Sequence, residues 1–350
     1  MAGPPPPVRP LVRGALRGLS LLPPALQQRI GGEPAVLDGQ RLAPEASMRL
    51  RLEEAVVGPG FETLPVPEAR RSLDDAAALA RPPRARLREV RDLAVDGGEG
   101  PRPARLYVPN DAAEPGGLLV ALHGGGWVLG GLGTHDRAWR VLARDSGVRV
   151  LAVDYRLAPE HPFPAGLEDA LAAFRWAVAN AGRLGADPSR VGIGGDSAGG
   201  NLSAVVARLA AGDQAPPAMQ LLIYPVCDST RKSRSYELFG EGFSLTEAQM
   251  DWYSGHYLPD PAEAADPRVS PLLAGDLSGL APAHVAVAGF DPLRDEGIAY
   301  AERLREAGNE VELSVERGLD HAFLNMTWIS RTAATAVRGI ADAVRKRLGA

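Results

Sequence analysis

Cysteine is almost missing from this chain. Cys227 is the only one among 350 residues, so no disulfide can form within the chain and no metal site can be built from several thiolates. A single cysteine leaves the redox compartment open, and we expect the cytoplasm, where proteins without disulfides are ordinary. We also expect no metal, because the histidines and carboxylates show no convergent ligand spacing. No cofactor is expected either, since no Walker lysine and no G-x-G-x-x-G opening a βαβ unit is found.

Lysine and long apolar runs are scarce as well. Only Lys232 and Lys346 are lysines, and the net charge is −5 with a pI of about 5.8. The sequence therefore predicts no surface for nucleic acid and no phosphate-binding cluster. No stretch approaches the roughly 18 consecutive apolar residues of a transmembrane helix. The remaining composition, 45% hydrophobic and 23% charged, is that of a globular protein.

Strand-like runs alternate with helical patterns from about residue 85 to residue 350. Continuous apolar runs are typical of parallel strands that are buried on both faces. The sequence therefore predicts an α/β fold with a mostly parallel central sheet and helices on both faces. The predicted strands cover residues 87–95, 104–108, 118–122, 148–153, a run from 191, 219–224, 283–288 and 311–315.

Two regions break this alternation and are predicted to be helical. Residues 30–85 carry a helical pattern, with a capping box at residues 72–75. The nearly sixty residues from 224 to 283 are too long for a structureless loop, so we expect an inserted helical cap whose helix begins at Ser244 or Thr246. The predicted organisation is an N-terminal tail with cap helices at 1–84, a catalytic domain at 85–226 and 271–350, and a cap insertion at 227–270. Residues 1–10 are proline-rich and expected to be disordered.

A G-x-S-x-G motif at residues 195–199 stands between an apolar run and a helical pattern. At such a junction the turn is sharp and the serine hydroxyl stands clear of the sheet edge. The following helix would direct its N-terminal amides to the same place, where negative charge is favoured. Ser197 is therefore a candidate nucleophile, with an ordinary serine in a glycine-rich turn as the alternative.

A serine nucleophile needs a base and an acid beyond it in the chain. Of six histidines, only His321 both follows the last predicted strand and completes the chain order serine, acid, histidine of α/β-hydrolases. Two acids follow predicted strands, Asp228 and Asp291. We favour Asp291 because it lies at a clean strand-to-helix turn, where it could also cap the next helix.

Backbone amides could supply an oxyanion hole. Gly125 and Gly126 follow a buried strand and can present their amides unobstructed, and Ala198 supplies the amide after the serine. Gly199 and Gly200 are interpreted as room for the loop that carries Gly125 and Gly126.

Several of these motifs together resemble the hormone-sensitive-lipase-like family of bacterial esterases (family IV), which has the α/β-hydrolase fold with a helical cap. The resemblance implies a triad of Ser197, Asp291 and His321, an oxyanion hole from Gly125, Gly126 and Ala198, and hydrolysis of short- to medium-chain acyl esters. The motifs are His123-Gly124-Gly125-Gly126-Trp127, Tyr155-Arg156-Leu157-Ala158-Pro159-Glu160, Gly195-Asp196-Ser197-Ala198-Gly199-Gly200, Asp291-Pro292-Leu293-Arg294-Asp295-Glu296-Gly297 and His321-Ala322-Phe323.

The substrate pocket and the assembly are less constrained by the sequence. The same residues would also suit an aryl-amide deacetylase, and a non-catalytic receptor on this scaffold is a further alternative. The partner expected is a small-molecule ester, and the chain is expected to be a monomer or a homodimer that pairs through residues 311–315. Candidate pocket residues are Trp127, Asp196, Phe243, Trp252 and Tyr253, although aromatic residues at these spacings are often core.

Overall fold

A twisted sheet of eight strands forms the centre of the computed structural model, which describes residues 9–56, 60–79 and 83–349. Two further short strands form a hairpin outside it. The strands are β1 (Val36–Leu37), β2 (Gln40–Arg41), β3 (Glu89–Gly97), β4 (Gly100–Val108), β5 (Gly116–Leu122), β6 (Arg149–Val153), β7 (Ala186–Asp196), β8 (Gln220–Ile223), β9 (Ala283–Phe290) and β10 (Val311–Asp320).

The strand order in the large sheet is β10-β9-β8-β7-β5-β6-β4-β3. Strands β5 to β10 pair in parallel, whereas β4 is antiparallel to both of its neighbours. Parallel neighbours need crossover connections, and helices supply them. The carboxyl ends of the parallel strands therefore meet at one edge, which is where open α/β sheets bind their ligands.

Helices cover both faces of the sheet. Alternate residues of β5 belong to two core clusters, and α6 and α7 pack on one face while α5 and α11 pack on the other. This arrangement confirms the predicted α/β class. The helices are α1 (Arg9–Ser20), α2 (Pro24–Gly31), α3 (Pro44–Val56), α4 (Val66–Leu79), α5 (Leu132–Ser146), α6 (Ala165–Ala179), α7 (Ala198–Leu209), α8 (Arg234–Phe239), α9 (Glu247–Tyr257), α10 (Arg294–Glu306) and α11 (Arg331–Leu348). None of the helices in these ranges is long and apolar enough to cross a membrane.

The structure corrects several predicted boundaries. The capping box at residues 72–75 is wrong, because Ser72 lies in the middle of α4. The helical stretch predicted from residue 30 is interrupted by the β1–β2 hairpin, where Asp38 and Gly39 both have a positive φ. Strand β10 extends to Asp320, five residues beyond the predicted end. The expectation for residues 1–10 lies mostly outside the described residues, since α1 begins at Arg9.

Helices α8 and α9 lie in the inserted segment between β8 and β9. Thr246, and not Ser244, caps α9, because its side chain accepts a hydrogen bond from the amide of Gln249. The Phe61 ring from the N-terminal region packs against Trp252 and Tyr253 of α9, with ring centroids 5.7 and 5.4 Å apart. The two regions predicted to form the cap therefore contact each other, while the exact division into domains stays a prediction.

Buried Asp169 of α6 holds two loops, the β3–β4 turn and the segment after β6, near the β3 edge of the sheet. Its carboxylate accepts hydrogen bonds from the amide of Gly98 at 2.8 Å and from the amide and Nε of Arg156, both at 2.9 Å. Asp169 is fully buried and the Arg156 side chain is only 5% exposed. Without Asp169, the Arg156 guanidinium would keep only the more exposed carboxylates Glu99 and Glu168, at 2.8 and 3.5 Å. The amides of Gly98 and Arg156 would lose their acceptor, which is costly for buried groups.

We expect Asp169→Ala to lower the free energy of unfolding by about 2–4 kcal/mol, because two buried amides lose their acceptor and Arg156 loses its most buried partner. The matched control is Asp213→Ala, which removes the exposed Arg175–Asp213 pair and should cost less than about 1 kcal/mol. Urea unfolding of both variants measures the difference. Equal losses in the two variants would contradict the structural role given to Asp169.

Candidate active site

Ser197 lies in the sharp turn between β7 and α7. Its backbone has φ 55° and ψ −120°, a conformation that costs a non-glycine residue roughly 1–3 kcal/mol and persists only when its surroundings impose it. The Ser197 amide donates to the Ile223 carbonyl at 2.9 Å. A Cβ on Gly195 would lie 2.4 Å from the Leu122 carbonyl oxygen, so only glycine permits this close approach.

The two glycines after the turn have different neighbours from those expected. A Cβ on Gly199 would lie 2.1 Å from the carbonyl oxygen of Leu122 and 2.7 Å from that of His123, at the start of the glycine loop. A Cβ on Gly200 would instead face Pro225, at 3.1 Å, after β8. The interpretation that both make room for Gly125 and Gly126 is therefore wrong, and only Gly199 contacts that segment, at its beginning.

His321 follows the end of β10 and connects Ser197 to Asp291. Its Nδ1 is 2.6 Å from Asp291 Oδ2, and its Nε2 is 3.0 Å from Ser197 Oγ. An ionised carboxylate can only accept, so Nδ1 carries the proton and Nε2 has a free lone pair directed at the serine hydroxyl. All three side chains are at most 9% exposed.

The competing acid, Asp228, is occupied elsewhere. Its carboxylate accepts from the Thr230 amide and hydroxyl at 2.9 and 2.5 Å and pairs with Arg231 Nε at 3.0 Å. Asp291 does not cap α10 directly, because that helix begins at Arg294. Instead Asp291 Oδ1 accepts from the Leu293 amide at 2.9 Å, which fixes the carboxylate in a short turn before the helix.

The glycine loop after β5 has a backbone conformation that favours glycine. Gly125 and Gly126 have φ values of +120° and +59°. The Gly125 carbonyl accepts from the amides of Val128 and Leu129 at 3.1 and 2.8 Å, which turns the loop back on itself. Within the described ranges, no group accepts a hydrogen bond from the amides of Gly125, Gly126 or Ala198, so these donors remain open to an anion.

The buried carboxylate of Asp196 supports this glycine loop. Its Oδ1 accepts from the Gly124 amide at 3.0 Å and lies 3.4 Å from His135 Nε2, while the Tyr224 hydroxyl is 3.4 Å from Oδ2. Burial alone would raise the pKa of Asp196, but His135, the Gly124 amide and His123 together hold it below its usual value. The ionised carboxylate of Asp196 therefore holds the glycine loop in place. Its predicted contact with the substrate stays a prediction.

Arg70 of α4 was missed by the sequence reasoning, although it holds the other end of the loop. Its Nε donates to the Val128 carbonyl and its Nη2 to the Ala158 carbonyl, both at 2.9 Å, while the guanidinium pairs with Glu160. The partners lie 58 to 90 residues away in sequence, so no local pattern could have indicated them.

Asp320, next to His321, is a second point that the sequence did not indicate. It is 1% exposed, pairs with Arg49 of α3 and accepts from the Ser244 hydroxyl at 2.5 Å. The N-terminal helices, the insertion and the histidine loop therefore meet at one buried carboxylate.

The predicted pocket residues separate into two groups. The Tyr253 ring lies on Gly126, where a Cβ would be 2.0 Å from the ring, and Trp252 packs beside it. Trp127 is stacked on Tyr257 with ring centroids 4.3 Å apart. Phe243, by contrast, packs against Phe239 and Phe290 in a separate apolar cluster.

Comparison with known proteins identifies the family of this chain. A family model described as the alpha/beta hydrolase fold matches residues 119–325. This chain belongs to that alpha/beta hydrolase family. Its hormone-sensitive-lipase-like branch, predicted from the motifs, is confirmed. No group of three or more potential metal ligands occurs in the described part of the chain.

This chain is similar over most of its length to proteins named as ester hydrolases. It is 46% identical to carboxylic ester hydrolase LipN of Mycobacterium tuberculosis, covering 95% of this chain and 91% of that protein. It is 38% identical to an ethyl acetate hydrolase of Pseudomonas putida, covering 88% and 99%. Among solved structures, an ester hydrolase from the Lake Arreo metagenome, complexed with a bipyridine phosphonate derivative, has a TM-score of 0.84 at 41% identity, covering 87% and 98%.

His123 begins the glycine loop of this hydrolase and is 2% exposed. Its Nδ1 lies 2.8 Å from the Gly124 carbonyl oxygen, which can only accept, so Nδ1 carries a proton in the neutral ring. Burial, together with nearby His135, lowers the pKa of His123 to about 4 from an ordinary value of 6.5. The unfolded chain therefore binds a proton at a higher pH than the folded chain does.

We expect this histidine to make the fold sensitive to acid. Stability should fall as the pH decreases from 6.5, by on the order of 3 kcal/mol at pH 4, and then level off. His123→Asn, which keeps a donor near the Gly124 carbonyl, should flatten that part of the profile. Urea unfolding at several pH values measures this, with exposed His161→Asn as the control. Parallel profiles for the wild type and His123→Asn would contradict the burial argument.

Proposed function

We propose that this chain hydrolyses carboxylic esters through an acyl-enzyme on Ser197, with His321 as base, Asp291 as acid and the amides of Gly125, Gly126 and Ala198 as oxyanion hole. The observation that carries the proposal is the continuous chain of contacts from Asp291 Oδ2 through His321 to Ser197 Oγ, at 2.6 and 3.0 Å. Relatives named as ester hydrolases support the same reaction class.

The reaction follows from where the protons are. His321 Nε2 takes the Ser197 hydroxyl proton as Oγ forms a bond to the ester carbonyl carbon. The carbonyl oxygen becomes an alkoxide and is stabilised by the three open amides. His321 then gives its proton to the alkoxy oxygen as the bond to it breaks and the alcohol leaves. Water repeats the same two steps on the acyl-enzyme and releases the acid.

Asp291 contributes by fixing the His321 ring. Its Oδ2 accepts from Nδ1, which keeps the lone pair on Nε2, and the negative charge stabilises the imidazolium that forms during each step. Because Asp291 is fully buried and also accepts from the Leu293 amide, it cannot turn away from the ring without losing a bond. The carboxylate is therefore held in the orientation that proton transfer needs.

We further propose that the acyl group is short to medium in length. Tyr253 lies directly over Gly126 and is supported by Phe61 and Trp252, which places an aromatic wall beside the amides. A relative 38% identical to this chain is named for ethyl acetate, itself a short ester. Amide hydrolysis would use the same residues, and no contact in the described residues favours it.

Cellular location and assembly stay predictions. We keep the cytoplasm as the expected compartment and a monomer or homodimer as the expected state. Strand β10 is at the edge of the sheet, so its residues 311–315 offer unpaired backbone groups to a second copy.

The triad is tested by substitution at three positions. Turnover of p-nitrophenyl acetate should fall by on the order of 10⁶ in Ser197→Ala and by roughly 10³–10⁴ in Asp291→Asn, which permits the wrong histidine tautomer. Asp228→Asn is the matched control and should keep most activity, because its carboxylate contacts only its own turn. Loss of turnover in Asp228→Asn alone would reassign the acid, and wild-type turnover in Ser197→Ala would refute the mechanism.

The proposed acyl wall makes a separate prediction. Tyr253→Ala should raise kcat/KM for long-chain relative to short-chain nitrophenyl esters by roughly tenfold, since each methylene in a pocket is worth about 1–3 kcal/mol. Phe243→Ala is the control, because that ring packs away from Gly126, and its chain-length profile should match the wild type. If Phe243→Ala shifted the profile and Tyr253→Ala did not, the wall would be wrongly placed.

A further inference from the structure

An open cavity of about 460 Å³ lies between α5, α11 and the segment that follows α4. Four exposed arginines line it, Arg84, Arg86, Arg144 and Arg338. Arg144 pairs with its neighbour Asp145, but within the described residues the other three have no carboxylate partner. We call these four arginines with Trp328 the basic groove. The sequence reasoning foresaw no such cluster, because its members are up to 254 residues apart.

Helix α1 meets the basic groove at Trp328. Arg17 of α1 donates to the Trp328 carbonyl, and its guanidinium lies 5.5 Å from the centre of the Trp328 ring. Arg331 donates to the carbonyls of Leu21 and Leu22, the two residues that follow α1, at 3.1 and 2.8 Å. The N-terminal helices are therefore attached beside the groove, through Trp328 and Arg331.

The N-terminal segment exposes several large apolar side chains. Five large hydrophobic side chains are exposed among the described residues, and four of them lie between residues 21 and 36. Leu26 and Ile30 are four residues apart on α2 and so occupy one helix face. We call this set, Leu21, Leu26, Ile30 and Val36, the leucine patch. Exposed apolar residues gathered in this way indicate an interaction surface, whereas scattered ones need no explanation.

The charge of this region is opposite to that of the rest of the molecule. The first 32 residues contain four arginines and no acidic residue. Because the whole chain has a net charge of −5, the remaining residues carry −9. The positive charge of the N-terminal helices is thus added to that of the basic groove, on a molecule that otherwise repels anions.

We propose that the basic groove and the leucine patch together form a docking surface for a membrane rich in anionic phospholipid. Exposed leucines beside arginines suit the boundary between head groups and acyl chains, where apolar side chains insert and cations pair with phosphates. A nucleic acid would use the arginines but give the leucines no partner. Docking here also attaches the membrane to the N-terminal helices, whose α3 contacts the residue next to His321 through the Arg49–Asp320 pair.

Vesicle sedimentation tests this surface with the full chain. The wild type should bind phosphatidylcholine vesicles that contain phosphatidylglycerol more tightly than vesicles of phosphatidylcholine alone, and salt should weaken the difference. Arg84→Gln/Arg86→Gln should bind the anionic vesicles roughly tenfold more weakly or worse, since each arginine near such a surface contributes severalfold. Leu26→Ser/Ile30→Ser should also bind more weakly, at low and at high salt.

Matched controls lie elsewhere on the surface. Arg175→Gln/Arg183→Gln removes two exposed arginines from the α6 side of the sheet, and Leu273→Ser removes the remaining exposed large apolar side chain. Both should bind vesicles like the wild type. All variants should keep turnover of soluble p-nitrophenyl acetate, which shows that they are folded and separates this test from that of the triad.

Four results would overturn the proposal. The wild type could fail to distinguish the two kinds of vesicle, or the control variants could lose as much binding as the groove and patch variants. Preferential binding of a DNA duplex through the same arginines would assign the groove to nucleic acid. A wild-type dimer that Leu26→Ser/Ile30→Ser converts to a monomer, without any vesicle binding, would assign the leucine patch to a second copy of the chain.

Discussion

The close approach of β5 and β7 is the constraint on which the active site depends. Glycines at 195 and 199 allow the turn after β7 to pack against the Leu122 carbonyl, and this packing holds Ser197 at a positive φ. The strain raises the hydroxyl above the sheet edge and leaves the first amides of α7 without acceptors. Both consequences suit the proposed chemistry, because the proposed nucleophile and one proposed oxyanion donor come from adjacent residues of one turn.

Around that turn, buried carboxylates hold the residues of the proposed site in position. Asp291 orients His321, Asp196 supports the Gly124 amide, and Asp320 joins the histidine loop to Arg49. Each of the three lies at the carboxyl end of a sheet strand or one residue beyond it. Low exposure makes these contacts strong, and it also makes the loss of any single partner costly.

Much of this site could be predicted from the sequence, because its chemistry lies at strand ends and in short motifs. Ser197, Asp291 and His321 each follow a recognisable apolar run, and the structure brings their side chains together. Local sequence patterns cannot predict contacts between distant residues. Arg70 is one example, since its acceptors are 58 or more residues away, and the arginines of the basic groove are another. The false capping box at Ser72 has the same origin, since packing of the whole α4 outweighs a four-residue signal.

The central claim is that Ser197 attacks the ester and carries the acyl group. Treating the wild type with a fluorophosphonate and mapping the adduct by peptide mass spectrometry tests this claim most directly. The account predicts one adduct per chain, on Ser197, appearing as esterase activity disappears. An adduct on another residue, or full inhibition with Ser197 unmodified, would contradict it.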